Sequence, residues 1–367
     1  MLLAIETSCD ETAVTLYASE AAARLDSSKI LVELISSQVD LHKPYGGVVP
    51  EIAARNHIAT LPMLITKAFL QSGTTVKDVS MVAATRGPGL KGCLLVGLGM
   101  AKAIAFSRKV PLLALNHLEG HLFACEFMEG HLRPKLPMLA LLVSGGHTML
   151  VSVPKFREYK VLASTRDDAA GEAFDKIASI LGLPYPGGPA LSREATSGNA
   201  NSFSLPVGLR ENNTSFSFSG LKTAVARTVA KLGGLEGVRE KGLVADLAAS
   251  SERAIVEALK VKVAAALKSL RPQSFLLTGG VAANLLLREE LAQVCADQDV
   301  RFSVPPFKWC TDNATMMAAL AASIIKHNPN LYGSEWRAAE HPGYLGPGVA
   351  IEVGAVARWP LEEISGV

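Results

Sequence analysis

Apolar and polar positions fall in blocks that occur twice along the chain. Leu2-Leu-Ala-Ile5 is apolar, Glu6-Thr-Ser-Cys-Asp-Glu-Thr12 is polar, and residues 13–17 are again mostly apolar. Residues 139–143, Ser144-Gly-Gly-His147 and residues 148–153 follow the same plan. Each block reads as two strands joined by a polar turn. Two such hairpins, each opening a half of the chain, predict two related α/β lobes facing a cleft. Helical stretches follow each hairpin. Residues 50–69 start at a proline with Glu51 in the first turn, a helix-start signature, and residues 90–107 make a second helix. The later half predicts helices over 170–181, 220–232 and 243–270. A strand over 274–277 then enters Thr278-Gly-Gly-Val-Ala-Ala-Asn284. Beyond about Tyr332 the chain is rich in Gly and Pro and reads as irregular.

At 367 residues the chain has room for two domains, each with its own core. Nearly half of it is hydrophobic and 19% is charged, which places it among well-buried α/β proteins and excludes a disordered chain. The net charge of +2 neither advertises nor excludes nucleic-acid binding, since a local basic face can sit on a neutral protein. Five cysteines, Cys9, Cys93, Cys125, Cys295 and Cys310, form no CxxC pair, which predicts reduced thiols and a cytoplasmic location. Cys310 lies close to an acid and is either a further metal ligand or, on ordinary packing grounds, a buried structural thiol. The apolar start is interrupted by Glu6 and has no basic flank, so it does not read as a signal peptide. No apolar run reaches membrane-spanning length.

Chemistry concentrates first in Asn116-His-Leu-Glu-Gly-His121. Histidines four apart on a helix lie on one face, the spacing at which two imidazoles hold one metal ion. Asp312, in Cys310-Thr-Asp-Asn313, offers a third ligand. The competing reading is a pair of ordinary histidines. In the zinc-protease helix the Glu follows the first His directly, about 100° around the helix. Glu119 is two residues on, about 200° around, and points away from a metal held by the pair, which argues against peptidase chemistry.

Glycine turns follow apolar strands at Ser144-Gly145-Gly146 and Thr278-Gly279-Gly280, and a rigid turn occurs at Tyr185-Pro-Gly-Gly188-Pro189. N–H groups at strand C-terminal ends are a common ligand edge, and together these turns favour a nucleotide-like ligand. In Thr85-Arg-Gly-Pro-Gly-Leu-Lys-Gly92 the glycines at a helix start, with Arg86 and Lys91, suit an anion. A tight strand–helix turn or a partner surface explains them equally. Asp10 and Glu11 sit in the first polar turn and, being adjacent, are expected to point apart. Asp175 either bonds a ligand hydroxyl or lies on a solvated face beside Lys176.

In this order, the motifs resemble the tRNA N6-adenosine threonylcarbamoyltransferase family, of the TsaD type, from about Leu2 to about Ile325. The carrying segments are Ile5-Glu-Thr-Ser-Cys-Asp-Glu-Thr12, Tyr45-Gly-Gly-Val-Val-Pro-Glu-Ile-Ala-Ala-Arg55, Gly87-Pro-Gly-Leu90, His117-Leu-Glu-Gly-His121, Leu142-Val-Ser-Gly-Gly-His147, Gly171-Glu-Ala-Phe-Asp-Lys176, Tyr185-Pro-Gly-Gly-Pro189, Phe216-Ser-Phe-Ser-Gly-Leu-Lys222, Gly279-Gly-Val-Ala-Ala-Asn284 and Cys310-Thr-Asp-Asn313. The resemblance implies an actin/Hsp70/sugar-kinase-like fold, two RNase H-like lobes around a central cleft. It places an N-terminal lobe at 1–135 with a helix returning at about 312–330, a C-terminal lobe at 136–311, and an irregular tail at 331–367. It implies one divalent metal, iron(II) before zinc, on His117, His121 and Asp312. It implies substrate contacts from Leu142, Val143, Ser144, Gly145, Gly146, Asp175, Gly188 and Asn284. Leu142 stands where the archaeal and eukaryotic cytosolic members carry a metal-contacting Tyr, so the chain resembles the bacterial or organellar branch.

The implied reaction moves threonylcarbamoyl from threonylcarbamoyl-AMP to N6 of the adenosine 3′ of the anticodon, with Asp10 or Glu11 as the best available base. Implied partners are tRNA, a TsaB-like paralogue contacting the helices near Pro50 and Leu90, and a TsaE-like ATPase, with a homodimer also open and no membrane. Two rivals share the fold. One is an ATP-dependent kinase or ATPase, which would not need a His-His-Asp set because magnesium prefers oxygen ligands. The other is a non-catalytic scaffold with a structural metal.

Overall fold

The computed structural model describes residues 1–18, 25–208, 215–328, 344–345 and 353–364. Chain contacts divide it into two units, Met1–Arg133 with Thr311–Val367, and Pro134–Cys310.

In the first unit, β1 (Leu2–Glu6) and β2 (Glu11–Tyr17) form the expected hairpin, and β3 (Ile30–Ser37) continues it antiparallel. A short α1 (Val39–His42) precedes α2 (Pro50–Ser72), and then come β4 (Met81–Gly87), α3 (Lys91–Arg108), β5 (Leu112–Asn116) and α4 (His117–Phe123). β1, β4 and β5 run parallel. Every residue of β1 is buried, as a strand covered on both faces requires. Leu3 and Ile5 join Leu61, Ile65, Leu98 and Ala101 of α2 and α3 in one apolar cluster.

In the second unit, β6 (Met138–Val143), β7 (Thr148–Val153) and β8 (Lys160–Thr165) form an antiparallel meander. It is followed by α5 (Ala170–Ile180), α6 (Gly187–Ala195), β9 (Ser215–Phe216), α7 (Ser219–Lys231), α8 (Gly234–Glu240) and α9 (Val244–Leu270). β10 (Ser274–Thr278), α10 (Leu285–Asp297) and β11 (Arg301–Ser303) complete the unit. β6, β10 and β11 are parallel. The chain then returns to the first unit as α11 (Ala314–His327), which packs on β1, β2 and α4.

The two sheets share one plan. The orders β3-β2-β1-β4-β5 and β8-β7-β6-β10-β11 both put an antiparallel meander beside parallel strands, the RNase H-like arrangement repeated. The repeat read from the two hairpins is therefore present in full.

At the C-terminus the described part of the tail is mostly without regular structure. Of the tail expected to be irregular, residues 331–343, 346–352 and 365–367 lie outside the described residues. Tyr344–Leu345 forms β12, antiparallel to β5 at the sheet edge, and Leu361 and Ile364 are buried. Gly and Pro suppressed the periodic signal there, but two residues suffice to pair with an edge strand.

Candidate functional site

The first cluster is built on α4. Asn116 ends β5 and caps the helix: its Oδ1 accepts from the N–H groups of Leu118 (2.9 Å) and Glu119 (3.2 Å). His117 and His121 follow one turn apart, their rings edge-on at 86° with centroids 4.8 Å apart. Asp312 stands just before Asn313, whose Oδ1 accepts from Met316 N–H at 2.8 Å and caps α11. Asp312 Oδ1 lies 3.1 Å from His121 Nε2 and 3.5 Å from His117 Nε2.

That geometry fits a metal. Ligand atoms each about 2.1 Å from one ion, subtending 90–110°, stand about 3.0–3.4 Å apart. Candidate ligand atoms of the three residues all lie within 4.8 Å of one another. Two imidazoles and one carboxylate are also the donor set of the facial triad that suits iron(II).

A second layer went unread in the sequence. His117 Nδ1 faces Glu6 Oε2 at 3.2 Å and Ser8 Oγ at 3.1 Å. A carboxylate on the far ring nitrogen fixes that nitrogen as the N–H and turns the Nε2 lone pair toward an ion. Glu6 is fully buried, accepts from Ser8 N–H at 2.5 Å and from the Thr85 hydroxyl, and so is held on three sides. Burial pushes the Glu6 carboxyl up, but the adjacent His117 and Ser8 outweigh it and hold it below its usual range. For His117, burial opposes the charge, but Asp312 and Glu6 overcome it and lift the pKa to about 9. The available signal for Glu6 was a charge at the end of an otherwise apolar strand.

Asp10 and Glu11 do not point apart. A bend at the turn brings their carboxyl groups close together, and Ser37 Oγ donates to Glu11 Oε1 at 3.3 Å. Burial first, then the charges of Asp312 and Asp10, push the Glu11 carboxyl well above its usual range. The turn is tied to α2 by His57, whose Nε2 contacts Cys9 O at 3.0 Å and whose Nδ1 contacts Thr12 Oγ1 at 2.7 Å. Burial, then Asp10, raise the Cys9 thiol far above its ordinary value, which makes it a poor nucleophile. Arg86 is engaged by the C-terminal segment: its Nε donates to Gly354 O at 3.0 Å. The open alternatives for residues 85–92 thus resolve toward a close-packed turn. Glu119 is fully buried.

The second cluster lies in the other unit. Leu142 and Val143 are core residues of β6, so only their backbone could meet a ligand. Ser144 closes the turn, its N–H donating to His147 O at 2.7 Å, and Gly145 and Gly146 are exposed. β10 runs beside β6, pairing Thr278 with Leu142, so the next glycine turn sits against the first. A Cβ on Gly279 would lie 2.4 Å from Val143 O, and one on Gly171 would lie 2.6 Å from Ser144 O. Only glycine admits that approach. Asp175 Oδ1 accepts from the N–H groups of Gly187 (2.8 Å) and Gly188 (3.2 Å), bringing two predicted contacts together at the start of α6. Asn284 caps α10 through Leu287 N–H, and its amide donates to Ser192 Oγ (3.0 Å) and Glu252 Oε1 (2.6 Å). A ligand bond from that amide requires releasing one of them. Cys310 sits in the core of this unit and accepts from Arg288 Nη2 at 3.2 Å, which is the structural-thiol reading.

A model of the family described as TsaD, tRNA N6-adenosine threonylcarbamoyltransferase, matches residues 29–319. The chain belongs to this family. A threonylcarbamoyltransferase from Synechococcus sp. is 44% identical over 363 residues, covering 99% of this chain and 93% of the relative. The one from Verminephrobacter eiseniae is 46% identical, covering 98% of each. Among solved structures, HypF from T. kodakarensis superposes with a TM-score of 0.55 at 12% identity, covering 89% of this chain and 48% of that one. Such a likeness speaks to fold alone, and it agrees with the actin/Hsp70/sugar-kinase class of two RNase H-like units. Family membership also sets aside both rivals considered for the threonylcarbamoyltransferase motifs.

Proposed function

We propose that this chain transfers the threonylcarbamoyl group of threonylcarbamoyl-AMP to N6 of the adenosine immediately 3′ of the anticodon, in tRNAs reading codons that start with A. The observation that carries the reading is the His117–His121–Asp312 cluster in a chain of this family. N6 attacks the carbamoyl carbon, the bond from that carbon to the phosphate oxygen breaks, AMP leaves with the electron pair, and N6 gives up one proton.

A divalent ion on His117, His121 and Asp312, iron(II) before zinc, would supply Lewis acidity toward a carbonyl or phosphate oxygen. Glu6 and Ser8 orient His117 for that role. The exposed Gly145 and Gly146 N–H groups suit donor oxygens. Asp175 and Asn284 are the residues we assign to ribose or adenine. Burial and the charges of Asp312 and Asp10 push the Glu11 carboxyl well above its usual range, and Asp10 or Glu11 is the candidate base. Partners are tRNA, a TsaB-like paralogue and a TsaE-like ATPase, and the setting is the cytoplasm. Among the described residues no helix is long and apolar enough to cross a membrane.

The test is mass spectrometry of tRNA nucleosides after incubation with threonine, bicarbonate, ATP, unmodified tRNA and the donor-making and partner proteins. Threonylcarbamoyladenosine should form with the native chain and fall at least a hundredfold, about 3 kcal/mol, with the His117→Ala, His121→Ala double variant. Asp10→Asn or Glu11→Gln should lower the rate, whichever carboxylate takes the proton. Full rates with both would remove the pair from the proton-transfer step.

A further inference from the structure

Residues 353–364 carry none of the site residues named above, yet they lie against the segment that bears two proposed ligands. Val353, Leu361 and Ile364 are buried and anchor the stretch by apolar packing. Between these anchors, backbone and side-chain bonds tie it to two places. At the turn after β4, Val356 N–H donates to Arg86 O at 2.9 Å, and Gly89 N–H donates to Ala357 O at 3.3 Å. The Arg86 guanidinium stacks over the Trp359 ring at 5.1 Å. A Cβ on Gly87 would stand 1.8 Å from Val356 O, so the turn is glycine where the segment crosses it.

The second tie is at the head of α4. Asn116 Nδ2 donates to Trp359 O at 2.9 Å while its Oδ1 holds the Leu118 and Glu119 N–H groups. One amide therefore joins the segment on one side to the first helical turn on the other. The next residue is His117. An amide held at both ends has one orientation, and that orientation sets where the first turn begins.

We propose that residues 353–364 are a strap that positions the metal-holding helix, acting through the Trp359 carbonyl on Asn116. Trp359 and Asn116 are positioning residues, and the claim rests on the reading that His117, His121 and Asp312 hold a divalent ion. It extends that reading to a stretch outside the family motifs.

The experiment uses the full chain, Asn116→Asp, and a chain ending at Glu352. Aspartate caps a helix as asparagine does, but it loses the donor and sets a carboxylate against the Trp359 carbonyl. Two readouts are taken: Co2+ affinity with its visible absorption bands, and hydrogen exchange at the Leu118 and Glu119 amides. Support is a Co2+ affinity weakened about tenfold or more with shifted bands, and faster exchange at both amides, while the melting temperature of Asn116→Asp stays close to that of the native chain. Native-like Co2+ affinity, bands and exchange in Asn116→Asp would overturn the strap, whatever the truncated chain does. If the native chain binds no Co2+, the metal reading fails by itself. Exchange then decides alone: faster in the variants, the strap positions α4; unchanged, it does not.

Discussion

At the scale of single residues the His117–Asp312 cluster is an electrostatic triad completed by Glu6, whatever ion it would hold. Metal-free, His117 lies between Asp312 and Glu6, and its pKa stands near 9 instead of 6.5. A ligand nitrogen must be unprotonated. Ion uptake at pH 7 should therefore expel about one proton, measured by calorimetry in buffers of different ionisation heat, and apparent affinity should rise about tenfold per pH unit up to about pH 9. Affinity flat from pH 6.5 to 9 would contradict a protonated His117. The linked stability has a definite sign. A raised histidine pKa stabilises the metal-free fold fully below the unfolded value of 6.5, and that stability is lost as pH rises through about 9. Glu6→Gln tests the second carboxylate. It keeps an acceptor for His117 but removes the charge, so Co2+ affinity should fall about 10- to 100-fold and its pH dependence should move to lower pH. Unaltered affinity in Glu6→Gln would make Glu6 a folding residue alone.

Elements explain why some of this was readable and some was not. The histidine pair was legible because helical periodicity alone puts positions 117 and 121 on one face. The glycine turns were legible because apolar strands end at them. The bonds of Glu6 and Ser8 to His117 and of Asn116 to Trp359 were not, since those partners lie far off in sequence and no local spacing encodes such contacts. The contact between Asp10 and Glu11 was misjudged because an irregular turn does not alternate sides as a strand does. The docked tail was missed because its ties run largely through backbone carbonyls and amides, which carry no side-chain signature. Close packing of elements gives a paired prediction within α3. A Cβ on Gly97 would stand 2.2 Å from Thr7 Oγ1, which itself donates to Cys93 O at 2.9 Å. Gly97→Ala should cost about 1–3 kcal/mol, because Thr7 is short and cannot swing clear. Gly99, on the same helix, has nothing within 4 Å of its Cβ, so Gly99→Ala should add about 0.5–1 kcal/mol through helix propensity. Denaturant melts of both variants separate the two effects, and a Gly97→Ala chain as stable as the native one would mean that Thr7 yields.

For the whole molecule, the open matter is how a chain of net charge +2 serves a polyanionic substrate. Phosphate contacts dominate nucleic-acid affinity and reveal themselves in its salt dependence. A nearly neutral chain should bind tRNA with a shallow slope alone and a steeper one once partner proteins add their basic groups. The surface for such a partner is suggested by apolar exposure on α2 and α3. Ile58, Met63 and Leu70 on the first, and Leu95 and Phe106 on the second, are each more than half exposed, while the Glu51–Arg55 pair beside them is open to solvent and worth little to stability. Side chains of this size left in water contribute little to the free chain, so replacing them should leave its melting temperature within a degree or two. Covered by a partner, the same side chains become costly to charge. Ile58→Asp with Leu95→Asp should therefore weaken capture of a TsaB-like partner at least tenfold, while Co2+ affinity stays native. Charge reversal at Glu51 and Arg55 should do less, because a rim pair acts mainly on the rate of encounter. Native co-purification of the apolar double variant would move the partner to another face of the molecule.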